Sequence, residues 1–416
     1  MSRLLAVSAV TAVTIGGASD VRAAESIVLP EKGTVIFLGD SITWQNLYVA
    51  YVESVLSRAF PERRLRYVNL GVRGDTAIDA RRRLDRDVVP RDPALVFVML
   101  GLNDGGLEGV SGRLLDAYAR NMARLVSDLR SKTRARVVLL TSTCIDPLDD
   151  GKRQYNEMLA RMAERLRALA RKERLPMIDI YTPFRRALER ARSATPPVAM
   201  MADPLHPGPV GHLVVAHTIL QRILPDGREG ASIEASLPQS ACSDDGAKLL
   251  VSHDHRNAWV PPDARPGLAF APLHSRFNRQ LLVVGNAACT VRLTVGALLL
   301  GTFSAKDLAA GVDLNAVDSA PWARDAERHY RMTQARWRWF YTTWDPHDVG
   351  EARALRDVGG PAGLDDATAR KLATRELAKV ERVLARRKGA QVYELRAARA
   401  AKKPASGATR FRIDVR

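Results

Sequence analysis

Cysteine is scarce, with three residues in 416, at positions 144, 242 and 289. No Cys-x-x-Cys pair occurs, which argues against a structural zinc module and against a disulfide-built scaffold. Aromatic residues make up only 6%. No RNP strand, zinc-finger spacing or basic region followed by heptads appears, so the recognised nucleic-acid modules are missing and no nucleic-acid partner is expected. Beyond residue 25 no apolar run reaches the ~20 residues needed to span a bilayer. Acidic residues are in deficit: 46 Asp and Glu against 63 Lys and Arg leave +17, and residues 321–416, with 22 basic and 12 acidic side chains, carry +10 of it. A basic surplus of that kind favours association with an anionic surface such as acidic polysaccharide or a cell envelope.

What is present is ordinary for a folded protein. Hydrophobic residues at 46%, with 28 Gly and 22 Pro, exclude a disordered or collagen-like chain. Residues 1–23 have a basic start at Arg3, an apolar stretch from Leu4 to Ala18 and small residues around Val21-Arg22-Ala23. That is the layout of a signal peptide, with cleavage expected after Ala23 and a secreted or periplasmic mature protein. An oxidising compartment would allow Cys242 and Cys289 to pair, while Cys144, at the end of an apolar run, reads as a buried small hydrophobe.

Four regions are expected: the leader 1–23, an α/β domain 24–230, a small β-rich module 231–320 and a helical basic extension 321–416. In the α/β domain, short apolar runs at Gly33–Leu38, Arg66–Leu70, Ala94–Leu100, Arg136–Leu140 and Pro176–Ile180 alternate with amphipathic stretches. Strands alternating with helices specify a doubly wound parallel sheet, in which ligands bind beyond the carboxyl ends of the strands. The helices are expected at Leu47–Ala59, Ala77–Asp87, Arg113–Ser131, Gln154–Lys172 and Val210–Ile223. In the module, β-like runs at Lys248–Val251, Gln280–Val284, Val291–Val295 and Leu298–Phe303 suggest an antiparallel sheet. The extension reads as helical, from Pro321-Trp322 onward and again over Asp365–Arg387, with the last residues frayed from Lys402.

The loops after the strands carry the chemistry. The first reads Gly39-Asp40-Ser41-Ile42-Thr43, where a serine at a strand end opens a helix and backbone N–H groups point at a developing anion. The second reads Asn69-Leu70-Gly71-Val72-Arg73-Gly74-Asp75-Thr76, and the third Gly101-Leu102-Asn103-Asp104-Gly105, where glycine lets backbone come close and an Asn side chain supplies an amide donor. Before the last helix stands Asp203-Pro204-Leu205-His206, in which the imidazole could take the serine proton and the carboxylate could orient it. Asp75 and Asp104 read as loop and helix caps, and His212 and His217 as packing groups. His253-Asp254-His255 offers a weak metal motif, so no metal and no cofactor is expected. Tyr330–Trp344 is dense in aromatics and arginine; it suits docking of a helix on the α/β domain, sugar recognition or, least well, stacking of bases.

The four loop motifs together resemble those of the SGNH hydrolases, the GDSL esterase/lipase family, over about residues 33–224, with Ile42 where the family usually has Leu. The resemblance implies a flavodoxin-like sheet and an esterase with Ser41 as nucleophile, His206 as general base and acid, and Asp203 as its partner. It further implies an oxyanion hole built by the Ser41 and Gly74 N–H groups and the Asn103 amide. Trp44 is a candidate substrate contact. Thr43-Trp44-Gln45-Asn46 is no broad apolar lid of the kind a long-chain lipase needs, and Gly74-Asp75-Thr76 is similar to that of rhamnogalacturonan acetylesterase-like members; the resemblance implies a short acyl group, acetyl above all, on a carbohydrate or other small polar ester. The alternative function is a non-catalytic glycan- or partner-binding protein on the same scaffold.

Overall fold

The computed structural model describes residues 27–399 apart from 108, 147–149, 225–232, 237–246, 254–258, 273–280, 286, 318–319, 345–349 and 386–390. The leader and its expected cleavage point at Ala23, together with Cys242, Asp254 and His255, lie outside the described residues.

Apolar runs too continuous to have a wet face form the central sheet. Strands β1 (Lys32–Gly39), β2 (Arg64–Gly71), β3 (Pro93–Met99), β4 (Arg136–Leu140) and β5 (Met177–Ile178) are parallel, in the order β2-β1-β3-β4-β5. Val35, Ile36, Phe37 and Leu38 are fully buried, and Phe37 stacks on Phe97 of the adjacent strand at 5.0 Å. Helices cover this sheet: α1 (Ser41–Trp44), α2 (Leu47–Ala59), α3 (Ala77–Arg82), α4 (Gly112–Lys132), α5 (Asp150–Glu173), α6 (Tyr181–Ser193) and α7 (Pro209–Ile223). This is the expected doubly wound, flavodoxin-like architecture. In register, Gly39 stands opposite Gly71 on β2 and Met99 on β3. Three strands therefore end level, and the loops carrying Ser41, Gly74 and Asn103 leave from one edge.

Two small sheets follow. Strands β6 (Ile233–Ser236), β7 (Ala247–His253), β8 (Leu281–Gly285), β9 (Val291–Val295) and β10 (Leu298–Phe303) are succeeded by α8 (Ala305–Ala310) and β11 (Val312–Asp313). One sheet runs β11-β8-β6, and in it β6 and β8 are parallel, against the all-antiparallel expectation. Then come α9 (Pro321–Trp344), α10 (Glu351–Asp357) and α11 (Asp366–Ala385).

The expected helical extension over residues 321–416 is corrected: Gln391–Arg399 form a strand, β12, which lies between β9 and β7 in the order β10-β9-β12-β7. Burial decides this. Leu395 and Ala397 have no exposed surface and complete a core with Leu249, Val251, Leu293 and Trp322, whose indole donates to the Leu314 carbonyl at 2.7 Å. α6 was also unforeseen, and the expected helix Ala77–Asp87 ends at Arg82, where Leu84–Val88 continues as a wider π turn.

Candidate active site

The nucleophile candidate is placed by a single tight turn. Asp40 caps α1 by accepting the Ile42 N–H at 2.9 Å, so Ser41 becomes the first residue of the helix. The first N–H groups of a helix have no partner within it, which leaves the Ser41 N–H available to an anion. The turn packs so closely on β2 that a Cβ on Gly71 would come 2.2 Å from the Trp44 nitrogen, so only glycine fits there.

Asn69 at the end of β2 locks the same turn. Its amide donates to the Thr43 carbonyl at 2.7 Å and to Asn46 Oδ1 at 2.9 Å, while its own oxygen accepts the Gly71 N–H at 2.8 Å. Asn46 holds a left-handed φ of 63° between α1 and α2.

His206 reaches this turn from the loop before α7. Its Nε2 lies 2.9 Å from Ser41 Oγ and its Nδ1 lies 2.8 Å from Asp203 Oδ2. A carboxylate only accepts, so Nδ1 carries the hydrogen and Nε2 presents its lone pair to the serine hydroxyl. Asp203 Oδ1 also accepts the N–H groups of Leu205 and His206, at 2.8 and 2.9 Å. Partial burial works to raise the Asp203 pKa, but these donors and the imidazole outweigh it and hold the carboxyl below its ordinary value. Within this series the Asp203 side chain is half exposed, whereas Ser41 is buried.

The other two loops converge on the same edge. Gly74 has φ +80°, a conformation that favours glycine, and nothing lies within 4 Å of where its Cβ would be, so its backbone faces open space. Asn103 donates to the Asp75 carbonyl at 2.9 Å, and Asp104 accepts the Ala77 N–H at 3.0 Å. These two bonds pin the third loop to the second.

Beneath the surface, each of the three loops contributes a carboxylate: Asp40, Asp75 and Asp104. Burial is the largest influence on all three. It lifts Asp40 to about 7 and Asp75 and Asp104 to about 6, against the stabilising hydrogen bonds each receives. Arg83 ties this layer together, binding Asp75 at 2.7 Å, Asp87 at 3.3 Å and the Leu70 carbonyl at 2.7 Å.

All five residues expected at the centre, Ser41, Gly74, Asn103, Asp203 and His206, therefore stand on loops at one end of the sheet or on the loop before α7. Asp75 and Asp104 do more than the capping expected of them, since they join the loops and form the buried acidic layer. His212 is a packing group: its Nε2 lies 2.7 Å from Gln45 Oε1, and burial lowers its pKa to about 3, so it stays neutral. Asn69 stands in the second motif, but its role in locking the Ser41 turn was not foreseen, and Arg83 was missed. The position of Asn69 at a strand end was a usable signal for it, whereas Arg83 is one of three consecutive arginines and nothing distinguished it.

Trp44 is half-buried, and aromatic residues of α9 pack on it: Trp337 lies 5.5 Å away and Tyr341 6.0 Å, both nearly perpendicular. The aromatic run thus docks on the α/β domain beside the Ser41 turn. Cys144 is buried and free, as expected, and Cys289 is disulfide-bonded. Among the described residues, no helix is long and apolar enough to cross a membrane.

A serine hydroxyl, a neutral imidazole and a carboxylate in series, beside unpaired N–H groups, can carry out acyl transfer. Comparison with known proteins agrees on the class. Residues 37–214 match the model of the GDSL-like lipase/acylhydrolase family, and this domain belongs to the SGNH hydrolases. The protein is accordingly a hydrolase of ester bonds. Over 215 residues it is 27% identical to an acetylxylan esterase of Geobacillus stearothermophilus, covering 45% of this chain and 93% of that protein. A solved structure of a gut microbial diltiazem-metabolizing enzyme, at 18% identity, superposes with a TM-score of 0.72 over 91% of this chain and 100% of that one. The shared fold therefore extends well beyond the α/β domain.

Proposed function

We propose that the protein is an exported serine esterase that removes short acyl groups, acetyl first among them, from carbohydrate or a similar polar alcohol. The observation that carries this reading is the unbroken series Asp203–His206–Ser41, with contacts of 2.8 and 2.9 Å. In this mechanism Ser41 Oγ attacks the acyl carbon while His206 Nε2 takes its proton, and Asp203 stabilises the imidazolium that forms. The tetrahedral oxyanion is held by the Ser41 and Gly74 N–H groups and the Asn103 amide, a kind of donor whose individual loss costs about 2.7–4 kcal/mol. His206 then returns the proton to the leaving alcohol. Water, activated by the same imidazole, frees the acid from the acyl-serine.

The acetyl and carbohydrate parts of the reading are supported by the acetylxylan esterase similarity. Export rests on the leader-like residues 1–23. The purified protein is expected to cleave p-nitrophenyl acetate faster than the octanoate, and Ser41→Ala is expected to lower kcat by roughly 10^4-fold or more. Turnover that persists in Ser41→Ala would rule out the serine mechanism, and a preference for octanoate would rule out the short-acyl reading.

A further inference from the structure

The C-terminal helices meet the catalytic edge at an assembled surface. Trp44 belongs to the same helical turn as Ser41, and Arg73 immediately precedes Gly74. The Arg73 guanidinium lies over the Trp44 ring, 4.6 Å from its centre, and Asp357 at the end of α10 holds it at 3.1 Å. On the α9 side, Trp337 and Tyr341 pack against Trp44, and Gln334 accepts from the Asn46 amide at 3.1 Å. The α/β domain thus contributes one indole and one guanidinium, while the extension supplies the groups that fix both.

Docking alone does not account for this arrangement. Tyr341, Ala354 and Val358 already form a small buried cluster there, with Trp44, Trp337 and Trp344 packed against it. Yet Arg73 remains 46% exposed beside a candidate oxyanion donor, and Asp357 is 26% exposed. The indole N–H groups of Trp44 and Trp337 are buried and have no hydrogen-bond partner among the described residues, so the donor open to a ligand at this surface is the Arg73 guanidinium. Half-buried aromatic rings beside an exposed guanidinium suit a sugar, whose C–H groups pack on rings and whose hydroxyls accept from guanidinium. The Asp357 carboxylate cancels the Arg73 charge, so the surface favours a neutral sugar over an acidic one.

We propose that Trp44, Arg73 and Trp337 form the subsite for the alcohol side of the ester, and that Asp357 is a positioning residue that makes it selective for neutral acylated sugars. This rests on the esterase reading above and names the substrate class of the same site.

The test is steady-state kinetics of the full-length protein on p-nitrophenyl acetate, an acetylated xylo-oligosaccharide and an acetylated oligogalacturonide. Arg73→Gln, at an exposed position, should lower kcat/KM on the neutral oligosaccharide about tenfold more than on p-nitrophenyl acetate, the loss of one charge-assisted hydrogen bond. Asp357→Asn should shift preference about fivefold toward the acidic oligosaccharide, mainly through KM. The subsite is overturned if Arg73→Gln lowers all three substrates in proportion or none of them, if Asp357→Asn leaves the acidic-to-neutral ratio unmoved, or if the wild type cleaves p-nitrophenyl acetate but neither sugar. A wild type inert toward p-nitrophenyl acetate would instead defeat the esterase reading itself.

Discussion

Asp40 shows how a buried residue can shape a site from beneath it. Its Oδ1 caps the turn that presents Ser41, while its Oδ2 is buried and has no hydrogen-bond partner. Burial is the main reason its pKa rises to about 7, with Asp104 and Asp75 adding repulsion. A carboxyl whose folded pKa lies above its unfolded value contributes stability that is complete below about pH 4 and is lost as pH rises through 7. Asp75 and Asp104, lifted to about 6, act in the same direction, so the three titrate as a coupled layer. Asp40→Asn keeps the acceptor for the Ile42 N–H and removes one ionisation. Thermal melts at pH 5 and pH 8.5 are therefore expected to show a smaller loss of stability in the variant than in the wild type. The difference has an upper bound of about 3 kcal/mol, from the roughly two pH units between pH 5 and the folded pKa. Parallel slopes for the two proteins would show that Asp40 carries no such burden.

Among the elements, β12 joins two parts of one small sheet. It is an inner strand, pairing Leu395 with Leu249 on β7 and with Val295 on β9, and without it the sheet separates into pieces with open edges. Leu395→Ala should cost about 2–5 kcal/mol of local stability. Hydrogen exchange is the direct measurement, with protection expected to fall in β7, β9 and β12 while β1 to β4 keep theirs. Uniform loss across both sheets would mean that the module has no stability of its own.

The same strand shows where the sequence stopped being legible. The parallel strands announced themselves as apolar runs buried on both faces, and Ser41, Gly74, Asn103, Asp203 and His206 were readable because their chemistry is local to short motifs. β12 follows three helices in a segment rich in arginine, and its identity is set by partners more than 90 residues earlier in the chain, which no local pattern reports. Similarly, β5 has only two residues, because the strand's sheet role is completed by side chains such as Thr141, whose hydroxyl accepts the Ile180 and Tyr181 N–H groups at 2.8 Å.

At the scale of the molecule, the question is whether the extension rides on the catalytic domain or is part of it. α9 is fastened to the α/β domain along its length. Arg336 pairs with Glu53 on α2, and farther along the Trp344 indole donates to Asp87 at 2.8 Å. Both carboxylates are buried, Asp87 completely and Glu53 with only 3% of its surface exposed. Burial raises the Glu53 pKa by more than the nearby Arg336 lowers it.

Arg336→Met would leave Glu53 buried without a counter-charge, a loss of about 3–5 kcal/mol when the carboxyl is ionised. The penalty should be small where Glu53 can keep its proton and full where it cannot. Calorimetry is thus expected to give the variant a melting temperature closer to the wild type's at pH 5 than at pH 8. A single unfolding transition in the wild type would fit an extension integral to the catalytic body. Two resolved transitions, with only the weaker one moved by Arg336→Met, would instead make the extension a separately folded unit.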